Sequence, residues 1–321
     1  MGAYTINHTK NERTQRKEPD AMAVVMKTFR KHSVMYMLLI PGLVYFSIFK
    51  YIPMLYIIAA FKQINIVGGI WDSPWVGLDN FRDFFNGVFF GQILGNTLLI
   101  SMYKLFFVFP APIILALMLN EVRHNWFKRI IQTITYLPHF LSWVVIYGLM
   151  LAFLAPGDGL VNSLLREYNL PTISFLTESS WIRSLLVASD MWQSIGWGAI
   201  IYVAALGGID PSLYEAATVD GASKWRQLWH ITLPGIRNVI ILMFVLRLST
   251  ILDVGFDQVF MMSNALNMDK SDVIETWVYR VGIQEMRVGL ATAVGLFKSV
   301  IGLVLVLGAN RAAKHFDGQI W

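Results

Sequence analysis

The sequence predicts an all-α polytopic membrane protein: six transmembrane helices, with a helix–bend–helix excursion between the fourth and fifth. Three observations carry this. The 321 residues are 55% hydrophobic and only 15% charged, with a mean hydropathy of +0.53, whereas a soluble domain carries about 25% charged residues. Six apolar stretches meet or approach the roughly 20 residues that cross about 30 Å of hydrocarbon as a helix. Between the fourth and fifth stretches lies a connection rich in helix caps and formers rather than in turns. With no cysteine in the chain, a disulfide scaffold, a thiolate nucleophile and a Cys-ligated metal are excluded.

The expected spans are residues 34–61, 93–119, 134–154, 186–206, 239–254 and 288–309. The fifth is short and needs to extend past Asp253 to cross fully. An even number puts both termini on one side. Fifteen basic residues flank the spans on that side, among them Lys10, Arg30, Arg129, Arg226 and Arg311, against seven on the other. The positive-inside rule therefore places both termini in the cytoplasm. The leader, residues 1–33, is polar and basic, and the apolar stretch that follows it, 34–61, is too long for a cleaved signal peptide. Residues 20–30 have the pattern of a short amphipathic helix, with Met22, Val25, Met26 and Phe29 on one side; a solvated positive tail fits equally well. Residues 34–321 form one membrane domain. On the outer side, Asp79 is placed to cap a short helix carrying Phe81, Phe84 and Phe85 at i, i+3, i+4 spacing. Such a helix suits the membrane interface.

The connection 207–237 holds most of the information. Asp210-Pro211 reads as an N-cap followed by proline at the first helical position, where its missing N–H costs nothing. Leu213, Glu215, Ala216 and Ala217 continue the helix. Gly221 supplies a bend. A second helix fits residues 223–230, ending before Pro234. Trp225 and Trp229 are large apolar groups on an element that faces water, which marks an interface; packing of the loop on its own bundle is the competing reading.

The pattern Glu215-Ala216-Ala217, three residues, Gly221, nine residues, Ile231-x-Leu233-Pro234 resembles the EAA signature of binding-protein-dependent ABC importer permeases. Gly77-Leu78-Asp79-Asn80-Phe81 resembles an outer-loop motif of maltose-type permeases. Tyr136-Leu137-Pro138-His139-Phe140, Asp272-Val273-Ile274-Glu275-Thr276 and the stretch from Ala291 to Phe297 are similar to the complex-carbohydrate branch, which includes alginate-importer permeases. The likeness runs from about Val34 to the end. It implies a coupling element of Tyr214, Glu215, Ala216, Ala217, Asp220, Gly221, Leu233 and Pro234, docked in a cleft of an ATPase subunit. Glu215 would be the polar contact, the two alanines would allow close packing, and Gly221 would form the bend. It also implies a second homologous permease, two ATP-binding subunits, an extracytoplasmic solute-binding protein and an oligosaccharide substrate in a bacterial cytoplasmic (inner) membrane. No GxxxxGK[ST] motif occurs in the chain, so ATP and Mg are expected in the partner subunits, with no cofactor on this chain and no enzymatic activity of its own. No nucleic-acid partner is expected.

Ionisable residues inside spans are functional-site hypotheses by default. Asp190, Arg247, Asp253 and Lys298, with Trp143, Trp192, Gln193 and Trp197, form a candidate substrate path. Aromatic faces stack on sugar rings while polar groups bond the hydroxyls, and Arg247 and Lys298 would favour an acidic saccharide. Ion pairs and packing within the bundle are the competing roles. Lys50 and Lys104 could snorkel to an interface. Asp257, Asp269, Asp272, Glu275 and Glu285 make an acidic outer loop suited to docking. His139 reads as structural, and the histidines lack metal-binding spacing. An ion-gradient secondary transporter is the alternative, but it calls for broken helices and an internal repeat. An intramembrane enzyme calls for clustered catalytic groups that the spacing does not supply.

Overall fold

The computed structural model describes residues 31–65 and 68–313. The expected leader helix, residues 20–30, lies outside the described residues. Two compact units divide at Tyr56 and Ile57. In the first, the helix Ser33–Phe46 continues through a π-turn, Ser47–Tyr51, into the short helix Ile52–Leu55. Its side chains are exposed throughout, Leu38 and Met37 among them.

The second unit holds the rest. Across the described chain four helices have the length and apolarity to cross a membrane: Ser33–Phe61, Phe90–Glu121, Lys224–Ser249 and Val288–Ala312. Counting the bent pairs Asn125–Phe140 with Trp143–Leu154, and Ser179–Leu206 with Pro211–Val219, gives six. Large apolar residues such as Phe106, Phe107, Ile114 and Met118 point outward. A surface that apolar calls for hydrocarbon or another apolar protein surface around it.

Proline shapes these helices in a regular way. Three π-turns, Ser47–Tyr51, Lys104–Val108 and Leu228–Thr232, each end two residues before a proline, at Pro53, Pro110 and Pro234. A π-turn shifts the hydrogen-bond partner by one residue, as in Leu233 N–H to the Leu228 carbonyl. The widened turn accommodates a ring that would otherwise strike the carbonyl four residues back. Pro234 therefore does not end the second helix of the 207–237 connection, contrary to the sequence expectation. Lys224 to Ser249 is one continuous span. The fifth span gains its length at this end, and stops at Ser249 rather than passing Asp253.

The third span is broken, not continuous over 134–154. The helix Asn125–Tyr136 tightens into a 3₁₀ turn, Leu137–Phe140, Leu141 is extended, and a new helix starts at Trp143, turned by 105°. Pro138 tightens the turn and Ser142 caps the next helix. The freed Leu141 carbonyl accepts the Gln193 Nε2 amide at 3.1 Å, as a backbone group at membrane depth requires.

The core comes in three clusters. Ile113, Ala116, Ala199, Tyr202, Leu206 and Ile236 join the second, fourth and fifth spans near the 207–237 connection. Ile100, Ile182, Leu186, Val254 and Val259 fill the middle. Phe84, Ile93, Ile274, Leu290 and Val294 close the far end. Gly196 makes the fourth span's closest approach: a Cβ there would lie 2.0 Å from the Thr135 carbonyl oxygen. The short helix Asp79–Phe85 forms as expected, but Leu78 is its N-cap residue and Asp79 its first turn, paired with Arg82 at 3.1 Å. Its Phe84 packs on Phe90, Trp277 and Phe297.

Candidate functional site

Two regions carry the candidate functional residues. The first is a knob at the end of the fourth span. Asp210 caps the helix Pro211–Val219, its carboxylate accepting the Ser212 N–H at 2.9 Å. That backbone hydrogen bond holds the Asp210 carboxyl below its usual range. The helix leaves the fourth span at 73°. Gly221 turns the chain at φ +73°, a left-handed value that glycine adopts without strain. Ser223 then caps the continuous fifth span.

The knob has an inner and an outer face. Inside, the Tyr214 hydroxyl and Thr232 Oγ1 lie 3.0 Å apart, and buried Gln227 donates to Thr218 Oγ1 at 3.1 Å. Outside, Glu215, Ala216, Asp220 and Gly221 are exposed, with Val219 at 88% and Trp225 at 68%. Ala217 and Leu233 are half-buried, and Pro234 is exposed. Trp225 and Trp229 meet edge to face at 5.9 Å. A cleft of about 800 Å³ separates the knob from the end of the second span, with Glu121, Arg123, Tyr214 and Lys224 on its walls. The competing expectation, a loop packed wholly on its own bundle, accounts for the inner face alone.

The second region lies where the fifth span stops. Asp253, Val254 and Gly255 are non-helical, and each is held by a different helix. Lys298 of the sixth span pairs with Asp253 and, at 3.0 Å, with Glu275. Lys104 of the second span donates to the Val254 carbonyl and to Gln258 Oε1, both at 2.6 Å. Glu275 accepts the Gly255 N–H at 3.0 Å. Ser101 donates to the Ile251 carbonyl. Gly255 takes φ +105°, which a side chain would oppose.

Lys104 also pairs with Asp190 at 2.8 Å. It is buried at this crossing and does not snorkel, because three carbonyl or carboxylate partners replace its water. Arg247 is half-buried, makes no side-chain hydrogen bond or ion pair with the described residues, and acts electrostatically on Lys104. Three cations, Lys104, Arg247 and Lys298, thus share the region with three carboxylates, Asp190, Asp253 and Glu275.

The expected path residues divide accordingly. Asp190, Arg247, Asp253 and Lys298 belong to the crossing. Gln193 supports the third-span break, and Trp197 stacks on His139 at 4.6 Å with rings 5° from parallel. Trp192 and Trp197 are about half-exposed, while Trp143 begins the second limb of the third span. Glu275 and Gln258 were missed as crossing residues, because nothing local in the sequence shows that the chain returns after Gly255. Two acids of the expected docking loop turn inward instead: Glu275 onto Lys298, and Asp272, 5% exposed, onto Arg280 and Thr276. Among the described residues no group of three His, Asp or Glu side chains could hold a metal ion.

A bent helical knob where the fifth span begins, and a charged break where it ends, mark a polytopic bundle of the transport-permease type. Residues 108–318 match the family described as "Binding-protein-dependent transport system inner membrane component", and the chain belongs to that family of membrane permeases. It is 46% identical to LplB of Bacillus subtilis over 92% of each chain. It is 43% identical, over 89% of each, to the same organism's polygalacturonan/rhamnogalacturonan transport system permease YteP. Among solved structures, a chain of a bacterial ABC transporter involved in import of the acidic polysaccharide alginate superposes with a TM-score of 0.85 at 40% identity. The match covers 91% of this chain and 99% of that one. A second structure of a bacterial alginate ABC transporter, in complex with alginate pentasaccharide-bound periplasmic protein, gives 0.84 at 39%, over 91% and 98%.

Proposed function

We propose that this chain is the permease subunit of an ATP-driven oligosaccharide importer and forms half of its translocation path. The knob transmits the closure of an ATP-binding subunit to the fourth and fifth spans. The observation that carries this reading is the knob's two-faced construction. Its inner face is hydrogen-bonded to the fifth span through Tyr214 and Thr232, while Glu215, Val219 and Trp225 stand outward, exposed to the surroundings. An element rigid on one side and apolar on the other suits the transmission of force at an interface.

The proposed partners are a second permease, two subunits that hold ATP and Mg, and an extracytoplasmic solute-binding protein; the periplasmic protein bound in an alginate-transporter structure supports the last of these. No cofactor is assigned to this chain. Both termini and the knob face the cytoplasm, as the basic residues indicate. The substrate is an acidic oligosaccharide of the pectin or alginate kind. Two relatives carry such substrates in their names, and Arg247 offers a guanidinium that makes no hydrogen bond or ion pair with the described residues.

ATP hydrolysis by the reconstituted complex, measured with loaded binding protein and a saccharide panel, tests the reading. Acidic oligosaccharides should stimulate it, and Glu215→Lys should abolish the stimulation. Normal stimulation in Glu215→Lys would remove the coupling role.

A further inference from the structure

The sixth span presents one face to open space over most of its length. A cavity of about 520 Å³ is lined there by Val288, Ala291, Thr292, Gly295 and Lys298. A second, of about 460 Å³, is lined by Gly295, Lys298, Ser299, Gly302, Leu303 and Val306. The two share Gly295 and Lys298, so they form one groove pinched at the Lys298 ion pairs. From residue 288 to residue 306 a helix rises about 27 Å, close to the hydrocarbon thickness of about 30 Å.

The larger cavity is built unlike a packing gap. One wall is aromatic: Phe256 and Tyr279 lie 5.2 Å apart, and Phe260 stacks behind Phe256 at 5.2 Å. The Tyr279 hydroxyl hydrogen-bonds to no described residue. The floor is Glu275 with Lys298. Lys298 has three N–H donors, of which its two carboxylates take two. Each Glu275 oxygen accepts one hydrogen bond within the chain, which leaves further lone pairs free. The floor therefore offers both a donor and acceptors beside an apolar wall. Lys298 with Asp253 and Glu275 carries one net negative charge, which repels an anion at this spot.

We propose that this cavity is a sugar-ring subsite on the sixth-span face. A hexopyranose ring of the transported chain lays its C–H face on Tyr279 and Phe256 and directs its hydroxyls to Lys298, Glu275 and Tyr279. A uronate ring fits with its carboxylate turned away from the floor. The proposal rests on the oligosaccharide-importer reading and adds residues outside the expected path. Hydroxyls both donate and accept, so a paired ammonium and carboxylate match them better than either charge alone. Aromatic faces supply the apolar contact.

This chain has no native cysteine, so an introduced thiol is its single labelling position, read on this chain's own band. Single thiols are placed at Gly295→Cys, where a Cβ meets nothing within 4 Å, and at Thr292→Cys. Maleimide labelling of the assembled complex is followed with trigalacturonate, an alginate trisaccharide and neutral galactotriose. Whichever of these the wild-type complex imports should slow labelling at both positions by about fivefold or more. In parallel, Tyr279→Ala should raise the KM for uptake by about tenfold with little change in maximal rate, and Tyr279→Phe by less. Unprotected thiols in a complex that imports the sugar would overturn the subsite and leave the importer reading standing. So would thiols blocked by assembly alone, which would make the groove a subunit interface. A wild-type complex that imports no saccharide would instead refute the importer reading.

Discussion

Lys104 donates to the carbonyl of Val254, 2.6 Å away and 150 residues later in the chain. This single bond joins the π-turn of the second span to the unwound end of the fifth. Backbone that leaves a helix at membrane depth must find internal partners, and Lys104 supplies one while neutralising Asp190. The broken end is thereby a rigid part of the bundle, not a loose loop.

Lys104→Met should be severely destabilising. It strands a largely buried Asp190 carboxylate, at a cost of about 3–5 kcal/mol for one lost partner of a buried pair. The thermal midpoint of the detergent-solubilised complex should fall by several degrees. Adding Asp190→Asn should recover part of the loss; an unchanged midpoint in the single variant would contradict the pairing.

Gly221→Val places a β-branched residue at φ +73°, which costs about 1–2 kcal/mol. ATP hydrolysis stimulated by loaded binding protein should fall sharply. Gly221→Asn should keep most of it, because asparagine tolerates the left-handed region better.

Tyr214→Phe removes the hydroxyl facing Thr232 and nothing else. The expected loss is about 1 kcal/mol, about fivefold in local opening. Hydrogen exchange over Pro211–Val219 should quicken by that factor while the spans stay protected.

The knob's cap has a defined pH response. The folded Asp210 carboxyl titrates below its ordinary value, so the cap contributes in full above the ordinary carboxylate range of about 4. Its contribution is lost as pH falls through the depressed value. Protection of the Ser212 amide, or proteolytic resistance of the knob, should decline below about pH 4. Asp210→Asn should remove this dependence.

Local chemistry made the knob legible. Asp210-Pro211 caps the first helix, Gly221 turns at positive φ, and Ser223 caps the fifth span. The acids and cations of the spans were visible as candidates, since charge in a hydrocarbon stretch stands out in any sequence. Their pairing was not, because Lys104 meets Val254 and Lys298 meets Glu275 only through the return of the chain after Gly255. Proline misled in one place: Pro234 reads as a stop, yet a π-turn carries the helix through it. The break at Leu141 was passed over although Pro138 and Ser142 interrupt the apolar run 134–154, because Gln193, which satisfies the freed carbonyl, comes from another helix.

The central claim is that the knob is gripped by an ATP-binding subunit. Val219, 88% exposed on it, can carry the sole thiol of the chain as Val219→Cys. A photo-reactive maleimide attached there should cross-link to an ATP-binding subunit in the assembled complex, whereas the same probe at Val88→Cys, 93% exposed at the far end, should not. Active complex in which the Val219 probe reaches only its own chain would contradict the account.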